Sequence, residues 1–320
     1  MSAMPVTVIA GYLGAGKTTL VNRLLRHADG LRIAVLVNEF GELPIDADLI
    51  ESTDGNVVAI AGGCICCSYG SDLMAAMMDL AKLSPQPEHV LIETSGVALP
   101  GPVAASLSLL ADYALDGTVV LADAETVLRQ GRDRYLADTI TRQLAEADFV
   151  ILNKADLVDA ETLVVAEAWV RSVAPRVSIV ATRNAAVPLD VIVGSRLAPQ
   201  RGGGLTLGGS ATTAFDTKAF DIAAPCDPAA LAAALTDPAL GILRAKGFVR
   251  DLDGRRVTIQ IVGARREVAP ASREPGDHDG LAGRDGLVVI GLKSRIDLGA
   301  IAAIVAAAQA AATPPPSSAA

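Results

Sequence analysis

The sequence has 320 residues and a net charge of −9, and its composition is 51% hydrophobic but only 3% aromatic. A chain of this length typically forms two domains. The core must be built mainly from Val, Ile, Leu and Ala, as in α/β folds with buried parallel strands. The acidic balance argues against nucleic acid as a partner, because binding to a phosphate backbone relies on clustered Lys and Arg.

The sequence shows no sign of a membrane or secreted location. The first ten residues lack the basic start of a secretory signal, and no apolar run approaches the ~18 residues that span a bilayer. Three of the four cysteines lie within residues 64–67, a crowding that suits a reducing compartment better than a disulfide framework. We therefore expect a cytoplasmic protein with no membrane partner.

Short apolar runs alternate with helix-like segments over the first two hundred residues. The predicted strands are residues 6–10, 33–37, 57–61, 90–93, 119–122, 150–152 and 177–181. Crossover helices are predicted over 71–83 and 160–173. This alternation predicts right-handed βαβ units and a mostly parallel sheet covered by helices on both faces. Ligands of such sheets bind beyond the carboxyl ends of the strands.

The first motif follows the first predicted strand. Residues 11–18 read Gly-Tyr-Leu-Gly-Ala-Gly-Lys-Thr, which fits the phosphate-binding pattern G-x-x-x-x-G-K-[ST]. The glycines let backbone N–H groups turn toward phosphate oxygens, Lys17 would neutralise the β and γ oxygens, and Thr18 would hold Mg²⁺. The predicted nucleotide contacts here are Gly11, Gly14, Ala15, Gly16, Lys17, Thr18 and Thr19.

The second predicted strand leads into residues 37–46, a stretch dense in carboxylates at the place where a nucleotide-sensing loop is expected. Asp46 or Glu39 can reach the metal or the attacking water, and the sequence does not choose between them. An acidic surface loop is the simpler alternative. Asp46 is our candidate for a catalytic role.

Three cysteines, Cys64, Cys66 and Cys67, follow the third predicted strand in the run Gly-Gly-Cys-Ile-Cys-Cys. Thiolates favour Zn²⁺ or Cu(I) over Mg²⁺, so a soft-metal site is the preferred interpretation. Three thiols leave a fourth position for Glu42, Glu39, water or a partner's group. Buried inert cysteines or a redox pair are the alternatives, and Cys226 is expected to be an isolated thiol.

Residues 90–93 form a predicted strand that ends in Glu93, and Thr-Ser-Gly follows at 94–96. The Glu93 carboxylate is a candidate to orient a Mg²⁺-bound or attacking water. Gly96 would let a backbone N–H approach the γ-phosphate and so report its presence. A strand terminus followed by a helix cap is the structural alternative.

Another predicted strand ends in Asn-Lys-Ala-Asp at residues 153–156, the N-K-x-D pattern with which GTP-binding proteins read guanine. The Asp156 carboxylate can accept hydrogen bonds from the ring N–H and the exocyclic amine of guanine, which adenine cannot supply in that orientation. Asn153 would support the loop, and the aliphatic stem of Lys154 would lie over the ring.

Glycines concentrate between residues 198 and 213, which predicts an interdomain linker. Beyond it, strands are predicted over 214–222, 248–252, 256–262 and 287–292, with helices after Asp227-Pro228 and over 298–312. The dipeptide Asp253-Gly254 predicts a hairpin. We therefore expect a nucleotide domain over 1–197, a small α+β domain over 214–312 and a disordered tail over 313–320.

Five segments together resemble the CobW family of GTPases, which belongs with the nickel chaperones of hydrogenase and urease maturation and with zinc metallochaperones. They are GYLGAGKTTL at 11–20, NEFGELPID at 38–46, GGCICCS at 62–68, ETSG at 93–96 and NKAD at 153–156. Residues 241–248 and 288–292 look like the family's small C-terminal domain. The resemblance covers most of the chain, although the His-rich stretch that many relatives have near the linker is replaced here by glycines and threonines.

The resemblance implies a P-loop GTPase with GTP, Mg²⁺ and Zn²⁺ or Co²⁺ as ligands, in which hydrolysis controls metal transfer to a client metalloprotein. It also implies that Cys64, Cys66 and Cys67 are metal ligands, and that Asn153, Lys154 and Asp156 contact guanine. The partners considered are this client metalloprotein and a second copy of the chain, in a homodimer. The alternatives are an ATPase or small-molecule kinase with a structural zinc, and a nucleotide-gated interaction module without turnover.

Overall fold

The computed structural model describes six stretches of the chain, residues 3–28, 30–38, 57–62, 71–194, 214–271 and 285–310. The chain divides into two compact units, Met1–Ser195 and Arg196–Ala320. Within the described stretches, no helix combines the length and the apolar character needed to cross a membrane.

The first unit is built on a parallel sheet. Its strands are β1 (Met4–Gly11), β2 (Ile33–Asn38), β3 (Val57–Gly62), β4 (His89–Glu93), β5 (Tyr113–Asp123), β6 (Phe149–Asn153) and β7 (Ser178–Ala181). Among the described residues they form one seven-stranded sheet in the order β3-β2-β4-β1-β5-β6-β7. Every pairing is parallel, so all the carboxyl ends lie at one edge.

Helices connect these strands. They are α1 (Lys17–Arg26), α2 (Ser71–Leu80), α3 (Pro100–Leu107), α4 (Val127–Gln130), α5 (Ala137–Ala145), α6 (Ala160–Val173) and α7 (Leu189–Ile192). Apolar side chains of α2 to α6 pack with alternate residues of the strands, such as Val6, Val8 and Ala10 of β1. Thr7 points to the opposite face of β1, where its hydroxyl donates to the Ile192 carbonyl of α7. The expected α/β fold with helices on both faces is confirmed.

The predicted strands and helices of the first unit differ from the observed ones by one or two residues at many ends, and two boundaries differ by more. Helix α2 ends at Leu80, because the N–H groups of Lys82 and Leu83 donate to carbonyls only three residues back, which makes a tighter turn. Strand β5 begins at Tyr113 rather than at 119. Its register with β1 shifts at Val6 and Thr7, so that Asp116 is an extra residue. This bulge lies before the apolar run 119–122 that was used for the prediction.

The second unit contains β8 (Phe215–Asp221), α8 (Pro228–Leu235), β9 (Ile242–Arg250), β10 (Arg256–Val262), β11 (Arg265–Pro270), β12 (Gly286–Leu292) and α9 (Leu298–Ala310). Its described strands pair antiparallel in the order β11-β10-β9-β12-β8. Buried residues of α8 and α9 pack with alternate strand residues such as Ala245, Ile259 and Val289. The expected hairpin at Asp253-Gly254 joins β9 to β10, whereas β11 was not predicted. The predicted linker and tail lie outside the described residues.

Candidate nucleotide site

The loop between β1 and α1 curls tightly against the neighbouring strand. Gly11, Gly14 and Gly16 have φ angles of 132°, 75° and 103°, a region that side chains rarely adopt. A Cβ on Gly11 would lie 2.1 Å from the carbonyl oxygen of Leu121 in β5. The loop ends where α1 begins at Lys17, and the first N–H groups of a helix favour an anion at this position.

Lys17 and Thr18 begin α1 at the carboxyl edge of the sheet. Lys17 is buried, and its ammonium group lies 3.5 Å from the Tyr12 carbonyl oxygen, which folds the side chain back over the loop. The Thr18 hydroxyl donates to Glu93 Oε1 at 2.8 Å. Glu93 is only 2% exposed. The sequence indicated Thr18 and Glu93 separately, and the fold brings them together.

A hydroxyl and a buried carboxylate in contact form an oxygen donor set of the kind that Mg²⁺ prefers. The two groups therefore fit the ion that the phosphate-binding pattern implies. Thr19 is exposed on the outer side of α1.

The segment after β4 returns to the phosphate-binding loop. The Thr94 N–H donates to the Ile9 carbonyl at 2.9 Å, and the Ala98 N–H closes a turn on the Ser95 carbonyl at 3.1 Å. A Cβ on Gly96 would lie 2.8 Å from the Leu13 nitrogen, so only glycine allows this approach. The Ser95 hydroxyl is buried without a hydrogen-bond partner among the described residues.

Asn153, at the end of β6, joins two loops at the same edge. Its Nδ2 donates to the Ala15 carbonyl at 2.9 Å, and its Oδ1 accepts the Ala185 N–H at 2.8 Å. A Cβ on Gly16 would lie 2.4 Å from Asn153 Nδ2. Asn153 therefore links the phosphate-binding loop to the loop after β7.

Lys154 and Asp156 stand next to Asn153. Lys154 adopts a left-handed conformation with φ 59°, and its ammonium group pairs with Asp123 Oδ2 at 2.8 Å. Asp156 lies in a short 3₁₀ helix, Ala155–Leu157, and is exposed. The Asp156 carboxylate is therefore accessible to a base, while the backbone that positions it is held by Asn153 and Lys154.

Three residues that contribute contacts to this site were not predicted from the sequence: Asp123, Ala185 and Gln143. Asp123 could have been found, because it is an acidic residue directly after the apolar run of β5, like Glu93 after β4. Ala185 acts through its backbone N–H, and Gln143 acts through donation to the Gly96 and Ala98 carbonyls. Contacts made to backbone groups leave no pattern in the sequence.

The candidates Glu39, Glu42, Asp46, Cys64, Cys66 and Cys67 lie outside the described residues. The strands that precede them are described. Asn38 at the end of β2 pairs with Gly62 at the end of β3, and Val37 pairs with Glu93. In the sequence, Cys64 follows the last residue of β3 by two positions, and the end of β3 lies at the sheet edge that also bears Glu93.

Two family models match this chain, one in each of its two units. Residues 5–181 match the model of the CobW/HypB/UreG nucleotide-binding domain, and residues 215–309 match the cobalamin synthesis protein cobW C-terminal domain.

The proteins similar to this chain include two curated relatives and one solved structure. A protein named zinc chaperone CobW from Sinorhizobium sp is 32% identical over 82% of this chain and 86% of its own length. Zinc-regulated GTPase metalloprotein activator 1 from Dictyostelium discoideum is 32% identical over 61% of this chain, which spans about half (49%) of that relative. The crystal structure of Zn(II)-bound YjiA GTPase from E. coli aligns with 96% of this chain and 99% of its own, at 22% identity and a TM-score of 0.46.

Proposed function

This chain belongs to the CobW/HypB/UreG family, and we propose that it is a GTP-hydrolysing metallochaperone. In this proposal Zn²⁺, or a related cation such as Co²⁺, is cargo bound by Cys64, Cys66 and Cys67, with Glu42 as a further candidate ligand. GTP binding and hydrolysis control its delivery to a client metalloprotein. Nucleotide binding and hydrolysis are assigned to residues 1–197, and residues 198–213 are the proposed linker.

The observation that supports nucleotide hydrolysis best is the contact between Thr18 and Glu93. Thr18 and Glu93 would hold Mg²⁺, which when bound supplies positive charge to the β- and γ-phosphate oxygens. Lys17 would add positive charge on the same side, and N–H groups of the loop from Gly11 to Gly16 would donate to the phosphates. Glu93 and Asp46 are the candidates to orient the attacking water, and Gly96 is the proposed contact to the γ-phosphate.

Guanine selection is proposed to rest on Asp156. Its exposed carboxylate would accept two hydrogen bonds from the guanine edge, a pairing that adenine lacks. Asn153 positions this loop through Ala15 and Ala185, so base and phosphate recognition share one support. The Lys154 ammonium is held by Asp123, which orients the stem that would cover the ring.

Phosphate release from GTP and from ATP tests the enzymatic part. We expect turnover with GTP and little with ATP, and Lys17→Ala should abolish it. Asp156→Asn should weaken GTP binding about 10- to 100-fold, because a guanine donor would meet an amide N–H instead of a carboxylate oxygen. Equal use of ATP, together with an unaffected Asp156→Asn variant, would favour the kinase or ATPase alternative. Binding without phosphate release would favour a nucleotide-gated module.

Zinc titration of the reduced full-length protein tests the chaperone part. The strands that precede the cysteine motif and the acidic loop, β3 and β2, end side by side, and β2 pairs with the strand that ends in Glu93. We therefore propose that nucleotide state and metal affinity are coupled. Linkage requires that a non-hydrolysable GTP analogue and Zn²⁺ change each other's dissociation constants by the same factor.

Two cysteine variants sharpen the titration. Cys66→Ala should weaken zinc binding, whereas Cys226→Ala is the matched control, since Cys226 is fully buried in the second unit. Zinc affinity that is identical with the analogue, with GDP and without nucleotide would refute the coupling.

A further inference from the structure

A short turn presents Gly96 to the phosphate-binding loop. The turn, Ser95 to Ala98, is closed by the bond from the Ala98 N–H to the Ser95 carbonyl, and it approaches the Leu13 backbone so closely that a Cβ on Gly96 would clash. Its conformation therefore decides where the Gly96 N–H points. It also decides the direction of the Ser95 hydroxyl, for which the described part of the chain offers no hydrogen-bond partner. Something outside the turn must fix that conformation, since four residues closed by a single hydrogen bond do not form a rigid unit.

Gln143 of α5 is the side chain that holds this turn. It is 1% exposed, and its Nε2 donates to the Ala98 carbonyl at 2.8 Å and to the Gly96 carbonyl at 3.2 Å. An amide NH₂ has two hydrogens, so one can serve each carbonyl. Because both partners are acceptors, they also fix which end of the amide faces the turn.

Glu146, three residues later, holds the chain just beyond the turn. Its Oε2 accepts the Gly101 N–H at 2.8 Å. Leu99 at the N-cap of α3 has no side-chain capping bond, so Glu146 supplies from a distance the acceptor that a capping residue normally provides. A carboxylate is also favoured at the positive end of a helix.

Helix α5 is itself firmly anchored. Ile140 and Leu144 are buried in the core beside β5 and β6, and the Asp148 carboxylate after the helix accepts the Thr118 N–H of β5 at 2.7 Å. Gln143 and Glu146 therefore tie residues 96–101 to a helix that is fixed against the sheet rather than to another loop.

We propose that Gln143 is a positioning residue that sets the preference of the site for a nucleoside triphosphate over a diphosphate. It does so by fixing the turn that carries Gly96, the residue proposed above to contact the γ-phosphate. The inference rests on the proposed nucleotide site, but not on the choice of guanine or on the metal. Glu146 supports the same turn more weakly, through the start of α3.

The test compares Gln143→Met with Gln130→Met in the full chain. Methionine matches glutamine in length and lacks its donors. Gln130 lines the same small cavity as Gln143, together with Tyr12 and Leu13, and it takes no part in the hydrogen bonds described for the turn. Dissociation constants are measured for GDP and ADP and for non-hydrolysable GTP and ATP analogues, and kcat and KM are measured for hydrolysis.

For Gln143→Met we expect about tenfold weaker binding of the triphosphate analogue, with diphosphate affinity changed less than about twofold, as one or two lost hydrogen bonds predict. The kcat should fall more than KM rises, and Gln130→Met should resemble the wild type. Equal losses for diphosphate and triphosphate, or none, would overturn the inference and leave the proposed function standing.

Two further outcomes separate the inference from the proposed function. If the wild type prefers adenine to guanine nucleotides, the guanine assignment fails. If Gln143→Met then lowers the preference for the ATP analogue over ADP, the role of Gln143 stands. If the wild type binds no triphosphate, both fail. Should Gln143→Met not fold, Glu146→Gln supplies the test. It keeps an acceptor for Gly101 but removes the charge, and we expect a triphosphate-specific loss of about two- to threefold, whereas no specific loss would overturn the inference.

Discussion

The two units use sheets of opposite kind, and the difference decides whether the strand ends gather at one edge. In the parallel sheet every described strand ends at one edge, so that Gly11, Glu93, Asp123 and Asn153 come together from four strands. In the antiparallel sheet the ends alternate, and the described connections include short turns such as Asp251–Arg255. We expect changes at the parallel edge to alter ligand binding, and changes in the second unit to alter stability alone.

The largest expected effect is at Gly16. Gly16→Ala places a Cβ 2.4 Å from Asn153 Nδ2 at a φ of 103°, so the loop and its support must move apart. We expect nucleotide binding to weaken more than about 100-fold, since loop geometry and the Asn153 contacts are lost together. Isothermal titration with GDP measures this effect.

Gly14→Ala is the matched control for that loop. Gly14 also has a positive φ, of 75°, but no atom lies within 4 Å of the added Cβ. Only backbone strain of about 1–2 kcal/mol is expected, which corresponds to a roughly 5- to 30-fold loss of nucleotide affinity. Similar losses at Gly14 and Gly16 would mean that the Asn153 contact has no special importance.

The next effect is at Asn153. Asn153→Ala leaves the Ala15 carbonyl and the Ala185 N–H without their partner in a buried place, which costs about 2–3 kcal/mol of unfolding free energy. Asn153→Asp keeps an acceptor for Ala185 but brings a carboxylate against the Ala15 carbonyl, so it should restore little. Urea unfolding and GDP titration should show stability and affinity falling together. A loss of stability without loss of affinity would contradict the shared support.

The sequence predicts the elements of this edge better than their pairing. Apolar runs followed by short motifs are local signals, and they correctly predicted the parallel α/β fold. They also named Thr18, Glu93 and Asn153 as candidates, but not the contact between Thr18 and Glu93. Gln143 and Gly96 are 47 positions apart, and their contact depends on how α5 packs, which no local pattern encodes. The bulge at Asp116 was not predicted for the same reason, because a bulge is defined by the pairing of β5 with β1.

A smaller effect is expected in the second unit, at Asp227. Its Oδ1 accepts the N–H groups of Ala229 and Ala230 at the start of α8. Asp227→Ala should cost about 1 kcal/mol, as typical N-cap losses do, while Asp227→Asn should retain most of the stability. Thermal unfolding checks this effect, and GDP affinity should not change in either variant. A change in affinity would contradict the expectation that substitutions in the second unit leave nucleotide binding unchanged.

The smallest effect is the pH dependence of the Asp159 cap on α6. Hydrogen bonding from the Thr162 backbone N–H, and then from its side chain, lowers the pKa of Asp159 below its ordinary value. A lowered pKa means that the cap stabilises the helix above the ordinary aspartate pKa, and that this contribution is lost as the pH falls through the folded value. Amide exchange at Thr162 should therefore accelerate, relative to the intrinsic rate, as acid is added. Asp159→Asn should remove this dependence, because its amide oxygen caps without titrating, and an unchanged acid response in that variant would assign the effect to another group.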